Sequence, residues 1–509
     1  MDKDCWLTRR AFVGAVSASA AMAFDGWAET AAAEISDFQL VKRPTVGIRF
    51  SMKVAGGGGD ASWKMLYMPK RACRYHEISE TLSVAVPWNG KERVSPSVLK
   101  PVRKSAGRLE YFLPVPDAKD YLTTYSFRGV CGGEGTSPKD ASVASLAKKE
   151  GAVDVLAAAK KAYWAQGTIP VAIHEPWRLG IEKAYEMKET GTIVVEVDIE
   201  GVRPGGRPVE IVAWGDNHLK LANDEDRKSD NIMEAFRRRG EANPPERGSQ
   251  SLAREMELVP IYDASVILGD NVDFFSYGSY ALWDRMMRDV GADPLVVIGY
   301  HDYVTHTINK RPQSEMPPEV TMPVCRSHVP NDVTYATKLV DDRVLMVGVD
   351  TSRNGNYYNR DGIAEKLAAD VKRARQNGWT ILLFQHEGVY LNTWTKGADG
   401  QYDREADRKV CNRHTMTGER FMNYQGFADI LLDPKKQGYD QAIGTRKAYE
   451  VIFNNADVIR GVFHGHVHAN YATWIQAKTP DGASRPIPQY SCAGSVFFDN
   501  GWVFKINVK

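Results

Sequence analysis

Val209-Glu210-Ile211-Val212-Ala213-Trp214 is an almost entirely apolar run that leads directly into Gly215-Asp216-Asn217-His218. A continuous apolar run of this length is typical of a strand that is buried on both faces of a sheet. Asp216 and His218 are two residues apart, so on an extended segment they point to the same side. This segment therefore predicts a buried strand whose carboxyl end carries a carboxylate and an imidazole.

Further apolar runs follow the same plan along the second half of the chain. They are residues 265–268, 295–298, 344–349, 380–384 and 458–463. Between them, apolar residues recur at every fourth position in 280–290 and 361–375, which is the spacing of an amphipathic helix. Buried strands that alternate with such helices predict an α/β fold with a sheet covered on both faces.

Most of these runs also end in acidic or histidine residues. The segments that follow them are Gly269-Asp270-Asn271-Val272-Asp273, Gly299-Tyr300-His301-Asp302, Gln385-His386-Glu387 and His464-Gly465-His466-Val467-His468. Ligands of open α/β sheets bind beyond the carboxyl ends of the strands, so we expect these side chains to meet in one crevice. Imidazoles and carboxylates together are ligands of divalent or trivalent metal ions, and two such ions can activate water against a phosphoryl group.

The order of these motifs across residues 208–471 resembles the signature of the calcineurin-like metallophosphoesterases, which reads D-x-H, G-D-x-x-D, G-N-H-[DE], H and G-H-x-H. The resemblance implies a metallophosphoesterase-type β-sandwich with flanking helices. It implies a first metal ion held by Asp216, His218 and His468, a bridging Asp270, and a second metal ion held by His386 and His466. It also implies that His301 protonates the leaving oxygen or stabilises its charge, that Asp302 orients His301 from behind, and that hydroxide activated by the metal ions attacks phosphorus.

One position departs from this family pattern. Tyr300 stands where the family has an asparagine that binds the second metal ion. Three outcomes stay open: a phenolate ligand that favours Fe(III), a weakly bound second ion, or a single ion. The metal is expected to be Mn, Fe or Zn. The related purple acid phosphatases also have a tyrosine ligand, but it stands at the motif position of Asp273 in this chain. They have glycine at the position of His218.

Two neighbouring residues are given supporting roles. Asp273 is predicted to cap a helix or to hold a ligand from behind, and not to bind metal. His464 is predicted to pack or to hydrogen-bond near the centre.

The amino-terminal part of the chain has a different texture. Thr8-Arg9-Arg10-Ala11-Phe12-Val13 and the apolar run that follows predict a twin-arginine signal peptide over residues 1–35, and hence a periplasmic or extracellular protein. Residues 36–205 contain short β-like runs and one helical stretch at 139–165. They predict a mainly β accessory domain, with a fibronectin-like sandwich as one option, ahead of a catalytic domain at 206–509.

Composition narrows the function classes. Lys plus Arg (65) and Asp plus Glu (64) leave a formal charge of +1, without the basic excess of a nucleic-acid binder. No apolar run after the leader is long enough to predict a membrane segment in the mature form, and the absence of a C-x-x-C pair argues against a thiolate zinc site. We expect a hydrolase of phosphate mono- or diesters that acts on a small phosphorylated substrate. The alternative, based on Tyr300, is a non-catalytic surface or binding protein with a degenerate metal site.

Overall fold

The computed structural model describes two compact units of the chain. The described residues are 28–29, 32–55, 62–69, 97–132, 134–164, 181–187, 192–239, 252, 255, 259–288, 294–305, 316–351, 362–389, 443–466, 471–475, 477–492 and 502–509. The first unit comprises residues 1–165 with 256–261 and 284–291, and the second comprises the remainder. None of the described helices combines the length and the apolar character needed to cross a membrane. Residues 1–27 of the predicted signal peptide and His468 lie outside the described residues, whereas Ala28–Glu29 form a strand and Ala33 begins another.

The first unit is built mainly from strands. They are β1 (Ala28–Glu29), β2 (Ala33–Val41), β3 (Gly47–Val54), β4 (Lys64–Pro69), β5 (Ser97–Leu99), β6 (Pro101–Ser105), β7 (Arg108–Pro114), β8 (Tyr125–Cys131), β9 (Glu134–Gly135) and β10 (Lys139–Ala141). One sheet has the order β1-β9-β8-β4-β5, with β10 paired to β8, and the other has the order β2-β3-β7-β6. Aromatic rings from the two sheets meet in the core, where Phe50 of β3 lies 4.5 Å from Phe127 of β8 between ring centroids.

The helical stretch predicted at 139–165 is two helices preceded by a strand. Helix α1 spans Val143–Lys149 and helix α2 spans Val153–Trp164. Ser142 begins α1, because its side chain accepts the backbone N–H of Ser145 at 2.9 Å. Gly151 separates the two helices with a left-handed φ of 67°, a conformation that glycine adopts without steric cost.

The second unit contains two six-stranded sheets. Their strands are β11 (Ile181–Met187), β12 (Thr192–Ile199), β13 (Val209–Trp214), β14 (Ala264–Leu268), β15 (Leu295–Val297), β16 (Tyr335–Val340), β17 (Val344–Val349), β18 (Thr380–Gln385), β19 (Ile459–His464), β20 (Tyr471–Ile475), β21 (Ile487–Ser491) and β22 (Trp502–Val508). The orders are β11-β12-β22-β13-β14-β15 and β16-β17-β18-β19-β21-β20. Strands β13, β14 and β15 are parallel, as are β17, β18, β19 and β21.

One hydrophobic core joins the inner faces of these two sheets. It combines Val195, Ile211 and Val266 of the first sheet with Met346 and Phe384 of the second, all of them buried. The other α-helices of the described residues are α3 (Asp230–Arg239), α4 (Tyr277–Arg288), α5 (Pro318–His328), α6 (Ile363–Asn377) and α7 (Ile443–Phe453). Helices α6 and α7 cover the outer face of the second sheet in another buried cluster.

The mixed α/β class predicted from the sequence is confirmed. Each apolar run predicted as a strand from residue 209 onward is a strand, within one residue at either end. The structure adds that β12 pairs with β22, so residues 192–199 belong to the first sheet of the second unit. The domain bounds at residues 35 and 205 and the fibronectin-like option stay predictions.

Candidate metal centre

The candidate site begins where three chain segments leave the strands with an unusual backbone. Asp216, His218, Asp270 and His466 have φ values of 54°, 48°, 50° and 69°. Left-handed φ is uncommon outside glycine, although Asp, Asn and His tolerate it better than other residues. Such conformations gather at functional sites because the surrounding structure must hold them in place. Four of the seven non-glycine residues with this conformation in the described part of the chain are therefore residues that the sequence motifs predict.

Backbone hydrogen bonds hold the loops of neighbouring strands together beyond the sheet. In the first sheet, Asp216 N donates to Gly269 O and His218 N donates to Asp270 O, both at 2.9 Å. In the second, Gly465 N donates to His386 O at 3.0 Å. The loops after β13 and β14, and those after β18 and β19, are thus fixed in pairs.

A single oxygen of Asp270 is the focus of the site. Its Oδ2 lies 3.1 Å from Nε2 of His386, 3.7 Å from Nε2 of His218 and 3.8 Å from Nε2 of His301. The other oxygen, Oδ1, accepts the backbone N–H of His301 at 3.1 Å. One carboxylate oxygen thus faces three imidazole nitrogens in a buried environment.

The opposite nitrogen of each ring is held by an acceptor, which fixes the tautomer. Nδ1 of His386 donates to the carbonyl of Leu268 at 2.7 Å, and Nδ1 of His301 donates to the carbonyl of Asp273 at 2.5 Å. Nδ1 of His218 lies 3.2 Å from the Asp273 carboxylate. The Nε2 lone pairs are therefore directed towards Asp270, as in sites where a carboxylate or carbonyl orients a metal-binding imidazole.

Asp216 and His466 complete the arrangement. The backbone N–H of His466 donates to both oxygens of Asp216 at 3.2 Å, and Asp216 Oδ1 lies 3.8 Å from His218 Nε2. Two groups of side chains have ligand atoms close enough to share one metal ion each. They are His218 with Asp270 and His301, and Asp270 with His386 and His466.

Three glycines leave room for these carboxylates and rings. A Cβ atom on Gly299 would lie 2.1 Å from Asp270 Oδ1, and one on Gly465 would lie 2.4 Å from Asp216 Oδ2. A Cβ atom on Gly269 would lie 2.7 Å from Nδ1 of His386. Each distance is far shorter than a van der Waals contact, so any larger residue would displace a candidate ligand.

The electrostatics of the site favour positive charge. Burial opposes the charged form of His386, but Asp270 and Asp216 outweigh it and raise its pKa to about 10. Burial is outweighed in the same way for His218, because the nearby carboxylates of Asp216 and Asp273 raise its pKa to about 9. Burial would raise the pKa of Asp270, yet the nearby histidines, His301 foremost, hold it well below its ordinary value.

The residues present fit a metal ion. Nε2 of His386 is buried and finds no hydrogen-bond partner in the described part of the chain, although Asp270 Oδ2 is only 3.1 Å away. A lone pair on nitrogen and a carboxylate oxygen at this distance require a cation between them, either a proton or a metal ion. Metal binding displaces protons from such ligands, so the raised histidine pKa values and the metal-ligand chemistry have the same origin.

The structure brings together most of the predicted site residues. Asp216, His218, Asp270, His301, His386 and His466 lie in one cluster at the carboxyl ends of their strands. The roles given to them stay predictions. The ring of Tyr300 packs edge to face on Tyr303, with centroids 5.7 Å apart, and its predicted ligation stays a prediction as well.

Asp302 contacts other groups than those expected. Its carboxylate accepts the backbone N–H groups of Gly299 at 2.7 Å, Asn271 at 2.9 Å and Val272 at 3.2 Å. Burial and the charge of Asp270 raise its pKa to about 7. The group that holds His301 from behind is the Asp273 carbonyl. Asp302 instead ties the loop after β14 to the turn after β15 through these backbone donors and the side-chain amide of Asn271.

Asp273 and His464 both lie beside the cluster. The Asp273 carboxylate holds His218 and lies 3.7 Å from the buried ammonium of Lys220. His464 is buried, its Nδ1 contacts the carbonyl of Gly465 at 3.0 Å, and burial lowers its pKa to about 4.

One residue at the same edge was missed by the sequence reasoning. Asp350 directly follows β17 and is 4% exposed, so a buried carboxylate ends this strand too. The signal that could have found it is the same pattern of an apolar run followed by an acidic residue.

Comparisons with known proteins give a distant likeness. No protein-family model matches the chain, and no curated protein matches it significantly. A dimetal phosphatase from Danio rerio is similar at 11% identity and a TM-score of 0.30, over 57% of this chain and 88% of that one. A protein from Staphylococcus aureus assigned as a 5'-nucleotidase, in complex with alpha-ketoglutarate, is similar at 11% identity and a TM-score of 0.25, over 57% of this chain and 49% of that one. At TM-scores this low the likeness supports no conclusion about fold or function, so the function is argued below from the site.

Proposed function

We propose that the chain is an exported, metal-dependent phosphohydrolase that cleaves phosphate mono- or diesters at this centre. The observation that carries the proposal is the single Asp270 oxygen facing three imidazole nitrogens whose other nitrogens are already engaged. This donor set of imidazoles and carboxylates suits Mn, Fe or Zn. The two sheets that share one core would then correspond to the sandwich implied by the sequence motifs.

We assign the ligands to two metal ions that share Asp270. Asp216, His218 and His468 would hold the first ion, and His386 with His466 would hold the second. Bound metal ions supply two things to such a reaction, namely activation of water and neutralisation of the charge that develops on the phosphoryl oxygens. Tyr300 is the proposed further ligand of the second ion through its phenol oxygen.

His301 is given a separate role in the proton balance. The Asp273 carbonyl fixes its Nδ1–H, so Nε2 is the atom that faces the centre and can exchange a proton with the leaving oxygen. Its 3.8 Å distance from Asp270 Oδ2 is also short enough for a shared metal ion. The variant His301→Ala distinguishes an acid catalyst from a metal ligand.

The test combines elemental analysis with turnover of the purified full chain. Metal content per chain is measured first, and hydrolysis of an aryl phosphate and a bis-aryl phosphate is then followed before and after chelation and after addition of Mn, Zn or Fe. We expect two ions per chain and activity that is lost on chelation and restored by metal. Absence of metal and of turnover, even after reconstitution, would favour the non-catalytic binding protein.

Two substitutions test the assigned roles. Asp270→Asn should abolish turnover and lower metal content, because it removes the charge shared by both ions. His301→Ala should lower turnover by about 10²- to 10⁴-fold and leave the metal bound, as expected for loss of an acid catalyst. Equal loss of metal in His301→Ala would make His301 a ligand.

Export is tested separately. The proposal expects the chain to reach the periplasm or the medium, and replacement of Arg9 and Arg10 by lysine to retain it in the cytoplasm. Cell fractionation followed by immunodetection measures this, and unchanged export of the double variant would contradict the twin-arginine route.

A further inference from the structure

A second candidate site lies at the opposite end of β19 from the metal centre. A cavity of about 250 Å³ is lined there by Glu200, which follows β12, by Arg460 of β19 and by Arg485 just before β21. Arg460 and His464 are four residues apart on the strand, or roughly 13 Å. The metal centre lies beyond His464, so the cavity is a separate site.

Two nitrogen atoms of the Arg460 side chain lack a hydrogen-bond partner among the residues that the structure describes. Only 11% of the side chain is exposed. Its Nε and Nη1 atoms are buried and have no hydrogen-bond partner in the described ranges. The carboxylate recorded near it is that of Glu200, whose Oε2 lies 3.9 Å from Nη1, too far for a hydrogen bond. Buried guanidinium N–H groups without an acceptor cost free energy, so this position favours an added anion.

The second arginine is engaged by the same carboxylate. Nη2 of Arg485 lies 2.5 Å from Oε2 of Glu200, and the Glu200 side chain is 78% exposed. Glu200 therefore lies at the solvent side of the cavity and neutralises one of two guanidinium groups. The other acid of the cavity, Asp198, is already hydrogen-bonded by Asn507 and Lys509. Within the described lining of the cavity, the two guanidinium groups therefore share the Glu200 carboxylate, which lies closer to Arg485 than to the more deeply buried Arg460.

The remaining lining limits the size and the chemistry of a ligand. Ile459, Pro486, Pro488 and Tyr490 provide apolar walls. The volume is below the roughly 300–1,000 Å³ of pockets for drug-sized ligands, so a small ligand fits. Two guanidinium groups match the oxygen atoms of phosphate, sulfate or a carboxylate.

We propose that Arg460 and Arg485 form a binding site for a small oxyanion, with inorganic phosphate as the probe, and that Glu200 competes with this anion. Glu200 acts as an internal carboxylate that partly occupies the site when no external anion is bound. This inference does not depend on the hydrolase activity, because it uses no residue of the metal centre.

The experiment is calorimetric titration of phosphate into the full chain after metal chelation at low ionic strength, so that binding at the metal centre is not counted. Arg460→Met and Arg485→Met should each weaken phosphate binding by about tenfold or more, the typical effect of a lost charged hydrogen bond. Glu200→Gln should instead tighten it, since the competing carboxylate is gone. Arg375→Met is the matched control, because Arg375 forms its own ion pair with Asp457 and should leave phosphate binding unchanged.

Arg485→Met is expected to weaken phosphate binding and Glu200→Gln to tighten it. These opposite changes in affinity keep the test decisive even if Arg460→Met does not fold. Sulfate and acetate titrations show whether the site prefers tetrahedral or planar oxyanions. Either preference supports the proposal, provided that binding of the anion depends on the two arginines. Phosphate binding that is absent, or that is equal in the parent chain, Arg485→Met and Glu200→Gln, would overturn the proposal. The cluster would then be a structural ion-pair network.

Discussion

Substitution of Gly299 by alanine offers a direct test of the metal centre. The φ of Gly299 is −107°, which alanine adopts freely, so the change acts through volume alone. The new Cβ atom would lie 2.1 Å from Asp270 Oδ1, 2.7 Å from Asp270 N and 2.7 Å from His386 Cδ2. Neighbours on three sides leave no empty direction, so the Asp270 carboxylate must move by about 1 Å to restore an ordinary contact.

The expected loss follows from that displacement. A misplacement of about 1 Å at a reacting centre costs roughly 10²-fold in rate, and overpacking a buried site costs about 1–3 kcal/mol of stability. Gly299→Ala should therefore lose metal and lower aryl phosphate hydrolysis by about 10²-fold or more, while the chain still folds. Elemental analysis, a turnover assay and thermal unfolding measure the three quantities on the same preparation.

Gly348→Ala is the matched control. Gly348 is also buried in the second unit, but its Cβ atom would meet only the flexible end of Leu295, at 3.3 Å. This variant should keep its metal and its activity. If Gly299→Ala behaves like Gly348→Ala, the Asp270 carboxylate is not confined as the structure has it, and the reasoning about the centre fails.

Further predictions concern residues around the centre and in the scaffold. Asp273→Asn should lower metal affinity by about 10- to 100-fold without unfolding the chain, because His218 loses its charged partner; metal titration checks this, and unchanged affinity would contradict it. Burial raises the pKa of Asp226 to about 6, so the folded state favours the protonated carboxyl. The stability that this protonated carboxyl contributes is complete below about pH 4 and is lost as the pH rises through 6. Urea unfolding of the metal-free protein measures this. Between pH 4 and pH 7 the free energy of unfolding should fall by up to about 3 kcal/mol more in the parent chain than in Asp226→Asn. Parallel pH profiles of the two proteins would refute the prediction. Tyr335→Phe should cost about 1–2 kcal/mol and leave turnover intact, because it removes the 2.7 Å hydrogen bond to the buried Asp370; an unchanged melting temperature would argue against that bond.

The sequence was informative about the metal centre because its candidate ligands share one pattern, in which an acidic or histidine residue follows a mainly apolar strand. The strands that precede Asp216, Asp270 and His386 are mainly apolar, and each of these candidate ligands follows its strand within two residues. Parallel strands end at the same edge, so neighbouring sequence motifs become neighbours in space. The positions of Asp216, Asp270 and His386 could be predicted without coordinates for this reason.

The partners of these residues could not be predicted in the same way. Nδ1 of His301 is held by the Asp273 carbonyl, whereas the sequence motif predicts the adjacent Asp302. Backbone carbonyls carry no sequence signal. The place of β22 in the first sheet was equally hidden, because a strand that pairs with residues some 300 positions away leaves no local trace.

The insertion of β22 between β12 and β13 has a consequence for how the chain folds. Residues 502–508 pair in parallel with β12 and antiparallel with β13, so the first sheet of the second unit lacks a central member until synthesis has passed residue 508. Contacts over such long separations close slowly, because the chain entropy of the loop is lost before the pairing is gained. Until then, the edges of β12 and β13 that pair with β22 in the folded sheet expose unsatisfied backbone groups and apolar side chains. We therefore expect this sheet to close only once residues 502–508 have been made, and its open edges to be prone to aggregation until then.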